Sequence, residues 1–376
     1  MPPDARSVMV CLISRQTMQN LLPILQYRPA HVVCLTTREE DESRQHLEAV
    51  VQAQHIPCET PLYVDAYVPA STAQACREIL ARYGADTLIA NLTGGTKVMS
   101  LAAFRVFAEA QVPCVYTDTP HQRLLFLHPE AREAETLQTR VDVLTYLRAH
   151  GQLASLRGRE SRLSAPGLAA FLGEHIAELE PFLSRLRYEL RNAPEQTRVR
   201  LAPQGRQRQA VADELLQRAI RAGLVEAHPS GPRELELVFR DIKARRYLEG
   251  EWLEDLVFET VKDGGFDSVA TNVALGWHDA PEREMNEIDV AVVHHLRFFY
   301  LSCKTGSDAQ QMKHHLFELE TLSALAGGLF NRPILVASSA KAVPQHLRRR
   351  MEALHIAYVG PEDLPRLAAR LAELLR

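Results

Sequence analysis

The stretch Asn91-Leu92-Thr93-Gly94-Gly95-Thr96-Lys97 closes an apolar run at residues 86–92 and opens a helical pattern at residues 98–110. Other apolar runs have strand length and are separated by helical patterns; the runs stand at residues 8–13, 31–36 and 112–116, and the helical patterns at 39–54 and 72–83. Apolar strands that alternate with helices are typical of a parallel sheet covered on both faces. Residues 112–116 and 124–127 flank a polar segment and predict a final hairpin. Residues 1–134 are therefore predicted to form a Rossmann-like α/β domain.

The same stretch has the composition of an anion-binding loop. Two glycines allow a sharp turn, and the helix that follows offers unpaired N–H groups and the positive end of its dipole. Hydroxyls at Thr93 and Thr96 and the charge of Lys97 add to this. A lone Thr-Gly-Gly-Thr can be simply a helix cap and a turn. A second polar loop, Ser14-Arg15-Gln16-Thr17, follows the first strand, and loops at the carboxyl ends of parallel strands meet in one crevice. Together the two loops favour a phosphate-bearing ligand, although the chain has neither a Walker A sequence nor a Gly-x-Gly-x-x-Gly sequence.

Residues 135–248 are predicted to be mostly helical and are rich in arginine. Between residues 185 and 221, nine arginines stand against four acidic residues. Residues 209–224 and 234–239 fit a helix followed by a wing. The basic excess fits either a solvated connector or a nucleic-acid surface, and both interpretations stay open.

Residues 249–376 predict a second α/β unit built around a hairpin of strands at 287–293 and 298–303. Alternation along a strand puts Glu287 and Asp289 on one side of the first strand, and Ser302 and Lys304 on one side of the second. Adjacent strands then bring Asp289 and Lys304 together. Glu254 lies among apolar neighbours on the helix that opens the unit, where a purely solvated carboxylate is not expected.

This set of side chains suits the hydrolysis of a phosphodiester. Carboxylates from different elements can hold Mg²⁺ or Mn²⁺, which generates hydroxide and neutralises developing charge. A nearby lysine can orient the attacking water or stabilise the pentavalent phosphate. The alternative is a structural ion pair between Asp289 and Lys304. The histidine pairs at 294–295 and 314–315 are interpreted as turn and helix-surface residues, because neighbours on one element point apart.

Composition excludes several classes of protein. The 376 residues are 46% hydrophobic and 24% charged, with a net charge of -4, which is typical of a soluble globular chain. No apolar run reaches the ~18 residues that span a bilayer, and the N-terminus has no basic segment followed by an apolar one. The six cysteines are scattered, with no Cys-x-x-Cys pair. The sequence therefore predicts a cytoplasmic protein without membrane contact, disulfides or a cysteine zinc site.

The Thr-Gly-Gly-Thr-Lys loop, the Ser-x-Gln-Thr loop and the segments GEWLE, NEIDV and CKTG, in that order, resemble the CRISPR ancillary nucleases. In that family a CARF domain (CRISPR-associated Rossmann fold) is fused to a PD-(D/E)XK nuclease domain. The resemblance implies a homodimer that binds a cyclic oligoadenylate, usually cyclic tetra-adenylate, made by type III CRISPR complexes. It implies that binding switches on cleavage of DNA, RNA or both with Mg²⁺ or Mn²⁺.

Carried over by position, the resemblance assigns two sets of residues. The activator site would be lined by Ser14, Arg15, Gln16, Thr17, Asn91, Thr93, Gly94, Gly95, Thr96 and Lys97. The nuclease centre would be formed by Glu254, Asp289 and Lys304, with the metal on Asp289 and Glu254. The family has an acid two residues before the lysine, where this chain has Ser302; Glu287 or Glu254, with the backbone carbonyl of Cys303, would compensate.

Two other functions remain possible from the sequence. A nucleotide-sensing transcription regulator would use the basic middle segment and keep the last domain as a scaffold. A nuclease domain inactivated by Ser302 would bind nucleic acid without cutting it. A regulator has no need of the set formed by Glu254, Asp289 and Lys304, so this set favours the nuclease.

Overall fold

The computed structural model of the chain describes residues 7–156, 163–192, 196–201, 209–230, 234–276, 286–295, 297–306, 309–325, 331–339 and 343–375. The chain divides into two compact units, with the boundary between Ala154 and Ser155. No helix within the described ranges has both the length and the hydropathy that crossing a membrane requires.

The N-terminal unit alternates strands and helices, as the sequence predicts. Its elements are β1 (Val8–Leu12), α1 (Met18–Tyr27), β2 (His31–Thr36), α2 (Asp41–Ala53), β3 (Leu62–Tyr63), α3 (Pro69–Tyr83), β4 (Leu88–Asn91), α4 (Lys97–Glu109), β5 (Cys114–Asp118), β6 (Arg123–His128), β7 (Glu135–Thr136) and α5 (Val143–Ala149).

These strands form a seven-stranded sheet in the order β3-β2-β1-β4-β5-β6-β7. The pairs from β3 to β5 are parallel, and β6 and β7 continue antiparallel. β1 is fully buried because helices cover both faces of the sheet at its centre. The parallel order reverses at β1, where β2 lies on one side and β4 on the other. A ligand crevice is expected beyond the carboxyl ends of these strands.

The C-terminal unit begins with helices and a small sheet. After β8 (Leu153–Leu156), in which the chain passes the boundary, come α6 (Pro166–Glu174), α7 (Ile176–Arg191), β9 (Arg198–Leu201), α8 (Gln209–Arg221), β10 (Val225–Pro229), β11 (Leu235–Phe239) and α9 (Ile242–Arg246). Strands β9, β10 and β11 form an antiparallel sheet in the order β10-β11-β9. The helix and wing predicted over residues 209–239 correspond to α8, β10 and β11; the turn at 231–233 lies outside the described residues.

The rest of this unit is built on a six-stranded sheet. Its elements are α10 (Trp252–Lys262), β12 (Ser268–Gly276), β13 (Asn286–His294), β14 (Arg297–Lys304), α11 (Ala309–Leu325), β15 (Asn331–Ala337), α12 (Gln345–Ala353), β16 (Ala357–Val359) and α13 (Leu367–Leu374), and the sheet has the order β16-β15-β14-β13-β12-β8. β13 and β14 form the predicted hairpin, with Val290 opposite Leu301. β12 was not predicted. The α/β fold class with an N-terminal Rossmann-like domain is confirmed.

One hydrophobic cluster joins the helical segment to the six-stranded sheet. It contains Leu183 of α7, Leu215 of α8, Trp252 of α10 and Val290 of β13, all buried. Residues of the arginine-rich segment therefore supply apolar side chains to the core on which the hairpin rests.

Candidate functional sites in the two units

The predicted phosphate loop in the N-terminal unit is held against the end of β1. The backbone N–H of Gly95 donates to the carbonyl of Ile13 at 3.1 Å. Thr96 is the N-cap of α4: its hydroxyl accepts from the N–H of Met99 at 3.2 Å and donates to the carbonyl of Ala66 at 2.6 Å. The loop is thus fixed at both ends, and its helix N-terminus faces the carboxyl edge of the sheet.

Two of the polar residues predicted to bind the ligand form an internal network. Asn91 is fully buried, and its Nδ2 donates to the carbonyl of Gln19 and to Asn20 Oδ1, at 2.9 and 2.8 Å. Thr93 donates to Asn91 Oδ1 at 2.6 Å and accepts from the N–H of Thr117 at 2.7 Å. This network satisfies buried polar groups and sets the shape of the loop.

A cavity of about 730 Å³ lies at this edge of the sheet. Of the predicted residues, Ser14, Gly95 and Thr96 line it. Arg15 and Lys97 are exposed, Thr17 is buried, and Gly94 packs on the carbonyl of Leu12. Gln16 is half-buried. The predicted residues that do not line the cavity form or flank the loops around it; they are Arg15, Gln16, Thr17, Asn91, Thr93, Gly94 and Lys97.

The opposite wall of this cavity was not predicted from the sequence. That wall comes from the end of β3 and from the loops after β2 and β3, and it includes Thr37, Arg38, Tyr63, Asp65 and Tyr67. The Arg38 guanidinium lies 4.6 Å above the Tyr63 ring, and the Tyr63 hydroxyl donates to Asp41 at 2.7 Å, which raises the pKa of Tyr63. An aromatic ring with a guanidinium on its face suits a ligand that carries bases and phosphates. The rule that loops at strand ends converge would have found the loop after β2, because β2 was predicted correctly.

The hairpin in the C-terminal unit places Asp289 beside Lys304. Lys304 Nζ lies 3.8 Å from Asp289 Oδ2. The same oxygen accepts from the backbone N–H of Cys303 at 2.7 Å and from the Ser302 hydroxyl at 3.5 Å. All of these contacts use Oδ2. Among the described residues Oδ1 has no hydrogen-bond donor, so it is available as a ligand.

The strand ladders are interrupted on both sides of Asp289. The register of β12 against β13 runs from Ser268 to Leu275 but omits the pair of Asn272 and Asp289. Asn272 is buried in the left-handed conformation, with φ of 57°. On the other side, Cys303 donates to the Asp289 side chain. A buried carboxylate at a break in a sheet lowers the stability of the fold. Such destabilising features are typical of functional sites.

A cavity of about 310 Å³ opens at this break. Its lining includes Glu287, Asp289, Ser302 and Lys304, so the structure brings four of the predicted residues together. Cys303 lies between Ser302 and Lys304 and is buried.

Glu254 lines a separate, smaller pocket with Thr271 and Asn272 of β12. The Thr271 hydroxyl donates to the backbone carbonyl of Asp289 at 2.9 Å, which links the two places. Asp255, which follows Glu254 in the chain, has its own partners within the fold. It accepts hydrogen bonds from the hydroxyls of Tyr247 and Ser164, each at 2.8 Å.

The side chains that line the 310 Å³ cavity offer oxygen ligands, which a hard divalent cation prefers. Mg²⁺ sites commonly use one or two carboxylates and take their other ligands from water and substrate phosphates. Among the described residues, no three side chains of His, Cys, Asp or Glu are close enough to hold one ion. One or two carboxylates, as Asp289 offers here, suit Mg²⁺ or Mn²⁺ completed by water and do not suit a closed zinc site, which needs four protein ligands. All six cysteines are free thiols.

Comparison with known proteins assigns both units. Residues 8–146 match the family model of the Card1 CARF domain, and residues 241–376 match that of the Card1-like endonuclease domain. No curated protein matches the chain. The fold and the two sites define a CARF domain joined to an endonuclease domain. The chain belongs to the CARF–nuclease ancillary proteins of CRISPR systems.

Solved structures share this fold at low identity. Protein VC1899 from Vibrio cholerae is 23% identical with a TM-score of 0.83, and the match covers 99% of this chain and 98% of that one. Can2 from Sulfobacillus thermosulfidooxidans, solved with cyclic tetra-adenylate, is 22% identical with a TM-score of 0.77 and 97% of each chain covered. A type III CRISPR defence DNA nuclease activated by cyclic oligoadenylate is 19% identical with a TM-score of 0.54, over 90% of this chain and 46% of that one.

Proposed function

We propose that this protein is a metal-dependent nuclease of type III CRISPR antiviral defence, switched on by a cyclic oligoadenylate at its CARF domain. The observation that carries the proposal is the contact of Lys304 with Asp289 in the lining of a cavity in the endonuclease domain. The match to the Card1 CARF domain and the 730 Å³ cavity support the activator part. We place this action in the cytoplasm, because the cysteines are scattered along the sequence with no Cys-x-x-Cys pair.

The activator is proposed to be cyclic tetra-adenylate, bound across a homodimer. Can2, which shares the fold, was solved with this molecule. A ring with two-fold symmetry fits across a two-fold protein axis. In this chain, N–H groups at the start of α4 would face phosphates, and the Tyr63 ring would lie beside a base.

Different residues of the endonuclease domain would have different roles in cleavage. Asp289, through Oδ1, would hold the cation, which when bound supplies a nucleophilic hydroxide and neutralises charge on the phosphate. Glu287, on the same side of β13, lines the same cavity and adds to its negative charge. The N–H of Cys303 fixes the Asp289 carboxylate. Lys304 Nζ, at the rim of the same cavity, would orient the attacking water and stabilise negative charge on the pentavalent phosphate. DNA and RNA both present the phosphodiester that this arrangement requires.

The test incubates the full chain with supercoiled plasmid and with single-stranded RNA, in the presence and absence of cyclic tetra-adenylate and Mn²⁺. We expect cleavage only when both are present. Asp289→Asn should abolish it, and Lys304→Ala should lower the rate by about 10²–10³-fold, since one stabiliser of the transition-state charge is lost.

Lys243→Ala is the matched control, because Lys243 is exposed on α9 and does not line the cavity. It should cleave at the wild-type rate. Cleavage by Asp289→Asn, or duplex binding without products in the wild type, would contradict the nuclease proposal and favour a regulator.

A further inference from the structure

The cavity at Asp289 has a second wall that the hairpin does not supply. This wall is α11, whose buried face contains Met312, Leu316 and Leu319. The Tyr300 hydroxyl of β14 donates to the backbone carbonyl of Leu319. The helix is thus fixed to the strand that carries Ser302 and Lys304, and the residues beside its buried face have a defined position over the cavity.

Two polar residues of α11 line the cavity, namely His315 and Glu318. His315 Nδ1 lies 3.1 Å from Glu318 Oε2, and the His315 side chain is only 24% exposed. The neighbouring His314 reaches the other oxygen of Glu318 at 3.5 Å, but its side chain is 76% exposed and does not line the cavity. The cavity side of the helix therefore carries a carboxylate oriented by an imidazole.

The charges around the cavity favour a dication. Its lining carries three carboxylates, of Glu287, Asp289 and Glu318, against the single ammonium of Lys304. With neutral histidine the formal charge is about -2, which a divalent cation would balance. On the hairpin side, Ser302 brings a hydroxyl 3.5 Å from Asp289 Oδ2, and a hydroxyl is a weaker ligand for Mg²⁺ than a carboxylate.

We propose that Glu318, oriented by His315, is the carboxylate that completes the cation site opposite Asp289, in the place that Ser302 leaves without an acid. The two carboxylates then stand on different elements, β13 and α11. The inference rests on the proposed metal-dependent nuclease.

The test measures Mn²⁺ binding to the full chain by calorimetry and by electron paramagnetic resonance, without nucleic acid. Glu318→Gln should weaken Mn²⁺ binding about tenfold or more. Glu320→Gln is the matched control: it removes the same charge from the same helix at similar exposure, but Glu320 pairs with Arg350 and does not line the cavity. Its affinity for Mn²⁺ should stay within about twofold of the wild type.

A rescue separates a ligand from a residue with a merely structural role. Glu318→Gln combined with Ser302→Glu should regain most of the lost affinity, because the new carboxylate would stand beside Asp289. Equal affinity of Glu318→Gln and wild type, with Asp289→Asn still defective, would overturn the role of Glu318 alone. A wild-type protein that binds no Mn²⁺ would overturn both this role and the proposed metal-dependent nuclease. Failure of the rescue would show that Glu318 acts outside the cation site.

Discussion

At the scale of single residues, Gly94 shows how closely the phosphate loop approaches the sheet. A β-carbon at this position would lie 2.0 Å from the backbone carbonyl oxygen of Leu12, far inside van der Waals contact. A backbone atom at the end of β1 cannot move aside as a flexible side chain can. Only glycine fits at this position of the loop, because there is no room for a β-carbon.

Gly94→Ala should destabilise the protein by about 1–3 kcal/mol, the usual cost of forcing extra volume into a packed site. Urea denaturation with the midpoint and slope both fitted would measure this change. Gly167→Ala is the control, since a β-carbon at Gly167 meets no atom within 4 Å. It should not destabilise the protein, because Gly167 lies in α6, where alanine is favoured over glycine by up to about 1 kcal/mol. Equal stability of Gly94→Ala and wild type would mean that the loop does not sit against Leu12 as described.

The residue scale also shows what sequence can and cannot reveal about a site. Asp289 and Lys304 were predicted to meet because strand alternation and a short turn fix their register, and the structure brings them to 3.8 Å. Asn91 was predicted to line the activator site, and the sequence could not show that its side chain donates to Asn20, 71 positions earlier. His315 was interpreted as a helix-surface residue, yet it lines the cavity. Tertiary packing decides which residues of a helix face a cavity, and the sequence does not show this packing.

At the scale of elements, a titratable histidine, His150, lies where α5 packs against α2. His150 caps the C-terminus of α5, and its Nδ1 lies 2.9 Å from the carbonyl of Tyr146. Burial lowers the pKa of His150 below its usual 6.5, and the nearby His46 of α2 lowers it further, while the bond to Tyr146 acts in the opposite direction. The folded protein therefore favours the neutral imidazole.

The sign of the pH effect follows from this lowered pKa. Above the ordinary pKa of 6.5 both states hold neutral His150, and its contribution to stability is complete. As pH falls below that value, the unfolded chain takes up the proton first, so stability is lost until the folded state is protonated too. The unfolding temperature should fall between pH 7 and pH 5 in the wild type. His150→Gln should reduce that slope, and the same replacement at the exposed His346 of α12 is the control. Equal slopes in wild type and His150→Gln would refute this account.

Elements with strong local patterns were predicted well, and those that depend on distant partners were not. The buried strands β1, β2 and β4 are apolar runs between helices, and the predictions overlap them closely. β12 was missed, because four of its residues, Ser268 to Thr271, are only half-buried and Asn272 breaks the alternation. Its strand form is stabilised by pairing with β13. β3 is two residues long and leaves no signal, so its loop was overlooked as a wall of the 730 Å³ cavity.

At the scale of the whole molecule, the sequence indicates that two domains are joined, and the structure shows how the chain is divided. The arginine-rich segment was predicted as a connector from composition alone. Its apolar residues pack in one cluster with α10 and β13, which charge counting cannot reveal. On one side of the boundary at Ala154 is the candidate activator site, and on the other is the candidate nuclease centre.

If the activator controls cleavage by shifting an equilibrium between two states, the control must act in both directions. An activator that raises the affinity for nucleic acid by some factor is itself bound more tightly by that factor when nucleic acid is present. Coupling of this kind usually amounts to about 5–150-fold in affinity.

We therefore expect Asp289→Asn, which should hold a substrate without cutting it, to bind cyclic tetra-adenylate at least about fivefold more tightly when saturated with plasmid or single-stranded RNA. Calorimetric titration with and without the nucleic acid measures the difference. The nucleic acid that tightens activator binding is identified as the substrate, which a cleavage assay can then check independently. An affinity that is the same under both conditions would mean that the activator acts on the cleavage step alone, because a ligand with equal affinity for two states shifts neither.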